Sequence, residues 1–204
     1  LVACGDKGAT TGGSGAGGVG MSGEDMFLGK ADAPVEVIDY SSVACPHCAN
    51  FHNTVFPVLK EKYIDTGQVK WVAREFLTGD PRLAAAGYLL ARCAGKDKYF
   101  DVTDAIYRRQ MDIYQSGDLR GGLLQIALSV GMSEEKFMEC VSDEKALDAL
   151  NERTQKFGEQ DKITGTPTFI INGKKVSAPG ADGGELSLEQ FEKAIAEAKA
   201  AKGK

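Results

Sequence analysis

Two cysteines three positions apart, Cys45 and Cys48, enclose Pro46 and His47. Thiols at this spacing either open and close as an intramolecular disulfide or bind a soft metal ion as thiolates. A structural zinc site needs a second such pair or suitably spaced histidines. The chain has two histidines, His47 inside the motif and His52 four residues past Cys48, so a fourth ligand is not evident. Disulfide exchange is the favoured chemistry, and a thiolate module for binding or delivering copper or zinc is the alternative. In exchange, Cys45 is the exposed attacking thiolate and Cys48, one turn further on, the shielded resolving thiol. His47 is expected to bring an N–H donor or positive charge near the Cys45 sulfur. That would favour the reduced form and make the pair a stronger oxidant.

Such a pair needs a rigid seat. Val35 to Tyr40 is short, β-branched and apolar, and reads as a buried strand. From Pro46 the apolar residues Phe51, Val55 and Leu59 repeat at helical spacing, which predicts a helix over 46–63 kinked at Pro57. Proline is tolerated in a first helical turn. Cys45 therefore stands at a helix N-terminus, where free amides and the positive dipole end stabilise a thiolate. Val69 to Phe76, with the only tryptophan, Trp71, completes a βαβ unit whose strands should be parallel. Asp39, six residues before Cys45, is either a buried acid relaying a proton for Cys48 or a partly solvated strand-end aspartate.

A helical period runs from Pro81 to about Asp161, with stripes Phe100, Thr103, Tyr107, Met111, Tyr114 and Leu147, Leu150, Thr154, Phe157. Breaks near Gly95, Gly117, Gly121-Gly122 and Ser142 divide it into four or five helices. Strand signals return at Thr168 to Ile171, Asn172-Gly173 marks a hairpin into Lys174 to Ser177, and Pro179 to Gly184 is a loop. Ser187 with Gln190 caps a last helix, with Lys199 to Lys204 fraying. Met26-Phe27-Leu28 reads as a short first strand, and the βαβ and ββα pieces alone close a four-stranded mixed sheet. Just before the returning strand stands Gly165-Thr166-Pro167-Thr168-Phe169. An X–Pro bond is where a cis peptide is kept, and a proline opening an edge strand leaves the Thr166 backbone free to pair with an extended peptide. An ordinary trans-proline loop is the alternative that the upstream cysteine motif disfavours.

A net charge of −5 argues against a general electrostatic grip on nucleic acid, and no apolar run reaches the ~18 residues of a membrane span. Leu1-Val2-Ala3-Cys4-Gly5 resembles the lipobox of bacterial lipoproteins, which implies lipid attachment at Cys4; a stray cysteine in a tail is the alternative. Gly5 to Gly23 is rich in Gly, Ser, Thr and Ala and cannot bury enough surface to fold. It reads as a tether of roughly 25 Å typical reach.

Cys45-Pro46-His47-Cys48, the Thr166-Pro167 loop and the helical block between them resemble the DsbA-like branch of the thioredoxin superfamily over roughly residues 25 to 200. The Pro46-His47 dipeptide is the one typical of DsbA. The resemblance implies an α/β thioredoxin fold, a mixed sheet flanked by helices, with an inserted helical subdomain. Its divisions are 1–23 as tether, 24–78 as first half, 79–162 as insertion and 163–204 as second half. It implies a protein dithiol oxidase that needs no cofactor beyond its own disulfide. Reduced or unfolded exported proteins are the implied substrates, and a quinone-linked membrane partner re-oxidises the enzyme. The implied setting is the periplasmic face of a bacterial membrane, with the chain a lipid-anchored monomer. A second disulfide between Cys93 and Cys140 agrees with the family, and would stabilise by roughly 4 kcal/mol in the chain-entropy model; buried free thiols are the alternative. Thr166, where the best-known oxidases carry Val, leaves a reductase or isomerase on the same scaffold as the rival reading.

Overall fold

The computed structural model describes residues 20–22, 25–178 and 184–203. Cys4 and most of the expected tether lie outside the described residues, as does most of the Pro179 to Gly184 loop. The first half comprises β1 (Gly20–Ser22), β2 (Asp25–Leu28), β3 (Val35–Ser41), α1 (Pro46–Thr54), α2 (Phe56–Leu59), a π-helical turn (Lys60–Ile64) and β4 (Val69–Glu75). A helical block follows: α3 (Pro81–Cys93), α4 (Tyr99–Ser116), α5 (Leu119–Ser129), α6 (Glu134–Val141) and α7 (Glu144–Gln160). The chain then returns through β5 (Thr168–Ile171), β6 (Lys174–Val176) and α8 (Leu188–Lys202).

The described strands form one sheet in the order β1-β2-β4-β3-β5-β6. β3 and β4 run parallel, Val35 opposite Val69 through Ser41 opposite Glu75, and the other neighbours are antiparallel. The sheet thus has two strands beyond that four-stranded closure: β2, which covers the short first strand expected at Met26 to Leu28, and β1. β1 falls inside the segment read as tether. Its residues pair with Asp25 to Phe27 of β2, and backbone pairing does not need the large apolar side chains that are scarce in the segment.

One face of the sheet is closed by aromatic packing. Phe51 of α1 lies 4.7 Å from Phe169 of β5 and 5.4 Å from Phe191 of α8, centroid to centroid, and Trp71 of β4 stacks on Phe51 at 6.1 Å. All four are essentially inaccessible. Each such ring contributes several kcal/mol by analogy with large-to-small core substitutions, roughly 3–5. This cluster fixes α1, and with it the cysteine motif, against the central strands.

The expected helix over 46–63 is broken into three pieces. Pro57 offers no N–H to the ladder, and the hydrogen bonds widen to i→i−5 spacing, Asp65 N–H donating to Lys60 O at 2.9 Å and Gln68 N–H to Tyr63 O at 2.9 Å. The inward stripe of α4 also differs from the expected one. Met111 is exposed, whereas Tyr99, Val102, Ile106, Gln110 and Ile113 join Thr103 and Tyr107 on the buried side. Helix α8 continues to Lys202 where fraying was expected from Lys199, with Lys199 itself paired to Gln68. Its capping box, Ser187 with Gln190, is present.

Two buried ionic clusters seat the helical block on the sheet. Glu75 at the end of β4 binds Arg92 of α3, Arg153 of α7 at 3.4 Å and the Tyr99 hydroxyl of α4 at 3.2 Å. Arg74 spans Asp25 of β2 at 3.1 Å and Asp161 beyond α7 at 3.0 Å. A disulfide joins Cys93 at the end of α3 to Cys140 in α6, with the Cα atoms 5.8 Å apart.

Candidate active site

Cys45 is the N-cap of α1, and Pro46 occupies the first turn, where its missing N–H costs nothing. The Cys45 sulfur accepts the Cys48 backbone N–H at 3.4 Å and lies 3.6 Å from the Thr166 carbonyl oxygen. Cys48, one turn on, is fully buried, and its sulfur accepts the Ser42 N–H at 3.5 Å. Both thiols are unbonded in this structure. The pair is strongly asymmetric. The Cys45 thiol is lowered to about 5 by the hydrogen bond from the Cys48 thiol, against the opposing effect of burial, with further help from Thr166 and the backbone N–H groups of Cys48 and His47. Burial pushes the Cys48 thiol up, and the neighbouring Cys45 sulfur pushes it further.

The peptide bond Thr166–Pro167 is cis, and the Thr166 carbonyl lies beside the Cys45 sulfur. The Thr166 hydroxyl pairs with the Thr78 hydroxyl at 2.5 Å, and the Thr78 carbonyl accepts the Ser42 hydroxyl at 2.7 Å. Gly79 (φ +80°) passes so close to Ala44 that a Cβ there would sit 2.3 Å from the Ala44 oxygen. This contact locks the loop after β4 against the cysteine motif.

The helical block grips the same loop from the other side. Tyr88 of α3 donates to Ser41 O at 2.6 Å. Gln110 of α4 donates to Val43 O at 2.7 Å and Cys45 O at 3.2 Å, and Tyr114 donates to Ala44 O at 2.6 Å. Sequence reasoning missed these three residues, treating the aromatic side chains of the stripes as core. The available signal was Gln110, an amide on a helix face flanked by Ile106, Tyr107 and Ile113.

Asp39 is buried beneath the motif. Its carboxylate accepts the Ser41 hydroxyl and meets His52 Nε2 at 2.9 Å. The His52 ring stacks on Tyr107 at 4.2 Å with a 5° interplanar angle. These groups line a largely apolar cavity of about 250 Å³ that also touches Trp71, whose buried indole N–H has no protein partner. His52 is thereby committed to Asp39, and among the described residues no group of three or more His, Cys, Asp or Glu side chains could hold a metal ion.

The His47 side chain corrects one expectation. Its ring is 77% exposed and engages Glu185, Nδ1 to Oε1 at 2.7 Å, while Asn50 donates to the other carboxylate oxygen at 2.6 Å. The support that His47 gives Cys45 is through its backbone N–H, because the carboxylate draws the imidazole outward.

A thioredoxin family model matches residues 21–197. A Rickettsia bellii protein named for protein-disulfide oxidoreductase activity is 39% identical over 150 residues, covering 73% of this chain and 57% of that protein. The chain thus spans little more than half the length of that relative. Disulfide bond formation protein D of Bacillus subtilis is 28% identical over 151 residues, 73% of this chain and 68% of that protein. Among solved structures, α-DsbA1 of Wolbachia pipientis superposes with a TM-score of 0.77 at 29% identity, over 89% of this chain and 94% of that one.

Proposed function

The chain belongs to the thioredoxin family, in its DsbA-like branch, and on that footing we propose that it is a thiol:disulfide oxidoreductase passing the Cys45–Cys48 disulfide to reduced exported proteins. The asymmetry of the two thiols carries the reading. A substrate thiolate attacks the Cys45 sulfur of the oxidised pair, and a mixed disulfide forms as the Cys45–Cys48 bond breaks. The electron pair goes to Cys48, which takes up a proton because burial holds its pKa high. A second substrate thiolate then attacks the substrate sulfur, and Cys45 leaves as a thiolate stabilised at the helix start. The substrate loses two electrons, the pair gains them, and no cofactor enters.

Asp39, held by His52, is the group proposed to exchange the Cys48 proton. An extended substrate segment would lie along Thr166-Pro167, where a backbone freed by the proline can pair with it. The re-oxidising partner is proposed to be a quinone-linked membrane protein. A lipid on Cys4 would hold the monomeric head at the periplasmic face of the membrane; among the described residues no helix is long and apolar enough to cross one.

A reductase or isomerase on the same scaffold draws support from one observation, the exposed His47 ring, which pairs with Glu185 and not with Cys45. Replacing Cys45 by Ala is expected to abolish oxidation of a reduced dithiol peptide, and retained turnover would overturn the proposal. A redox titration against glutathione assigns the direction.

A further inference from the structure

Among the described residues, Glu185 is the acidic side chain that meets the cysteine motif directly, and it does so with both carboxylate oxygens. One takes the His47 ring nitrogen at 2.7 Å and the other the Asn50 amide at 2.6 Å. Both partners are in the first turns of α1. The carboxylate is itself firmly placed. The preceding Gly184 N–H donates to Pro167 O at 2.9 Å, the following Leu186 is buried, and Ser187 caps α8. Anchors on both sides therefore fix its position relative to the motif and to the Thr166-Pro167 loop alike.

The consequence bears on Cys45. A cationic imidazole beside a thiolate stabilises it, and a more stable thiolate makes the reduced pair more favourable and the oxidised pair a stronger oxidant. Here the ring between the two cysteines is turned to a carboxylate. The sulfur is served by the Cys48 thiol, Thr166 and backbone N–H groups. The ring nitrogen that the dipeptide could bring to the sulfur is engaged by Glu185 at the rim.

We propose that Glu185 is a positioning residue that sets the redox potential of the Cys45–Cys48 pair by holding the His47 imidazole off the Cys45 sulfur. It is a brake on oxidising strength, acting through His47 and not on the substrate. The inference rests on the exchange chemistry proposed for Cys45 and Cys48, and it reaches a residue the motif does not contain.

The test is a set of reduced proteins, wild type, Glu185→Gln, His47→Ala, the double variant and Asn50→Ala. Each is titrated for the Cys45 thiolate by its ultraviolet absorbance and equilibrated with glutathione. Glu185→Gln keeps the shape of the side chain and removes its charge. It is expected to lower the Cys45 pKa and to shift the glutathione equilibrium about three- to tenfold toward the reduced protein, the low end for a cation approaching a partly solvated anion. In the His47→Ala background the same substitution should move neither reading. Asn50→Ala, which loosens the segment while leaving the ring on its carboxylate, should also move neither. An unchanged titration in Glu185→Gln overturns the inference. So does an equal shift without His47, or an equal shift in Asn50→Ala, which would mark a merely structural latch. If the wild-type pair forms no disulfide with glutathione at all, the exchange chemistry itself fails, and that result is distinct from the others.

Discussion

A thiol pKa of about 5 in the folded reduced protein has a thermodynamic signature that can be measured without any substrate. In the unfolded chain a cysteine titrates near its ordinary value of about 8.5. Because the folded pKa is depressed, the reduced protein gains stability that is complete above the unfolded pKa and is lost as pH falls through about 5. Between those limits the slope is about 1.4 kcal/mol per pH unit, so at pH 7 Cys45 supplies roughly 2–3 kcal/mol. Cys48 adds nothing there, since burial raises its pKa and its thiol is protonated in both states. The assay is equilibrium urea unfolding of the reduced protein and of Cys45→Ala across about pH 5 to 8. Taking the difference between the two removes the contributions they share, including reduction of the second disulfide. The difference is expected to grow by about 2 kcal/mol from pH 5 to pH 7. A flat difference would refute the argument that the helix start and the Cys48 thiol stabilise a thiolate at Cys45, and with it the leaving-group role.

Two further outcomes follow from the surroundings of the pair. Asp39→Asn keeps the buried amide shape and removes the proton-exchanging group, so the step in which Cys48 attacks a mixed disulfide should slow about tenfold or more. The Cys45 titration should stay in place; stopped-flow decay of a preformed mixed disulfide reads the rate, and wild-type decay would exclude Asp39 as the relay. Converting both Cys93 and Cys140 to Ala should cost about 4 kcal/mol of stability by urea unfolding, from the loop that the bond closes, yet leave exchange at Cys45 intact, because that disulfide joins α3 to α6. A loss well under 1 kcal/mol would show that the unfolded chain is not constrained by it.

Period and punctuation revealed the elements better than they revealed the contacts between them. The βαβ unit, the helical block and the hairpin at Asn172-Gly173, whose positive φ values of 45° and 80° suit that turn, were legible because local residue types dictate local backbone. The extra edge was not. Gly20 to Ser22 has no strand pattern, and it becomes β1 through main-chain pairing to β2. A kink at Pro57 was legible, but the break at Val55 and the π-helical turn depend on how the ladder repairs itself through Lys60 to Ile64. Spacing gave Cys45, Cys48 and Pro167 as candidates. It could not give Glu185, 137 positions after Cys48 in the chain, nor the direction in which His47 turns, because both depend on the chain returning past the motif.

The helical block is more than a lid placed on a thioredoxin sheet. A loop buried between layers must find partners for its carbonyls, and the segment Ser41 to Cys45 finds them in the block: Tyr88 for Ser41, Gln110 for Val43 and Cys45, Tyr114 for Ala44. Each donor ties down a carbonyl dipole of the loop that carries the motif. What serves the Cys45 sulfur is the Cys48 thiol first, then Thr166 and the N–H groups of Cys48 and His47 at the helix start. The electrostatics of the thiolate therefore come from two sources of different sequence range. The helix N-terminus is encoded within four residues. The orientation of the loop that feeds it is encoded by an amide and two phenols some 40 to 70 positions downstream, held in register by Glu75 gripping Arg92, Arg153 and Tyr99. A cysteine motif transplanted without that block would keep its helix dipole and lose the seat that directs the remaining dipoles.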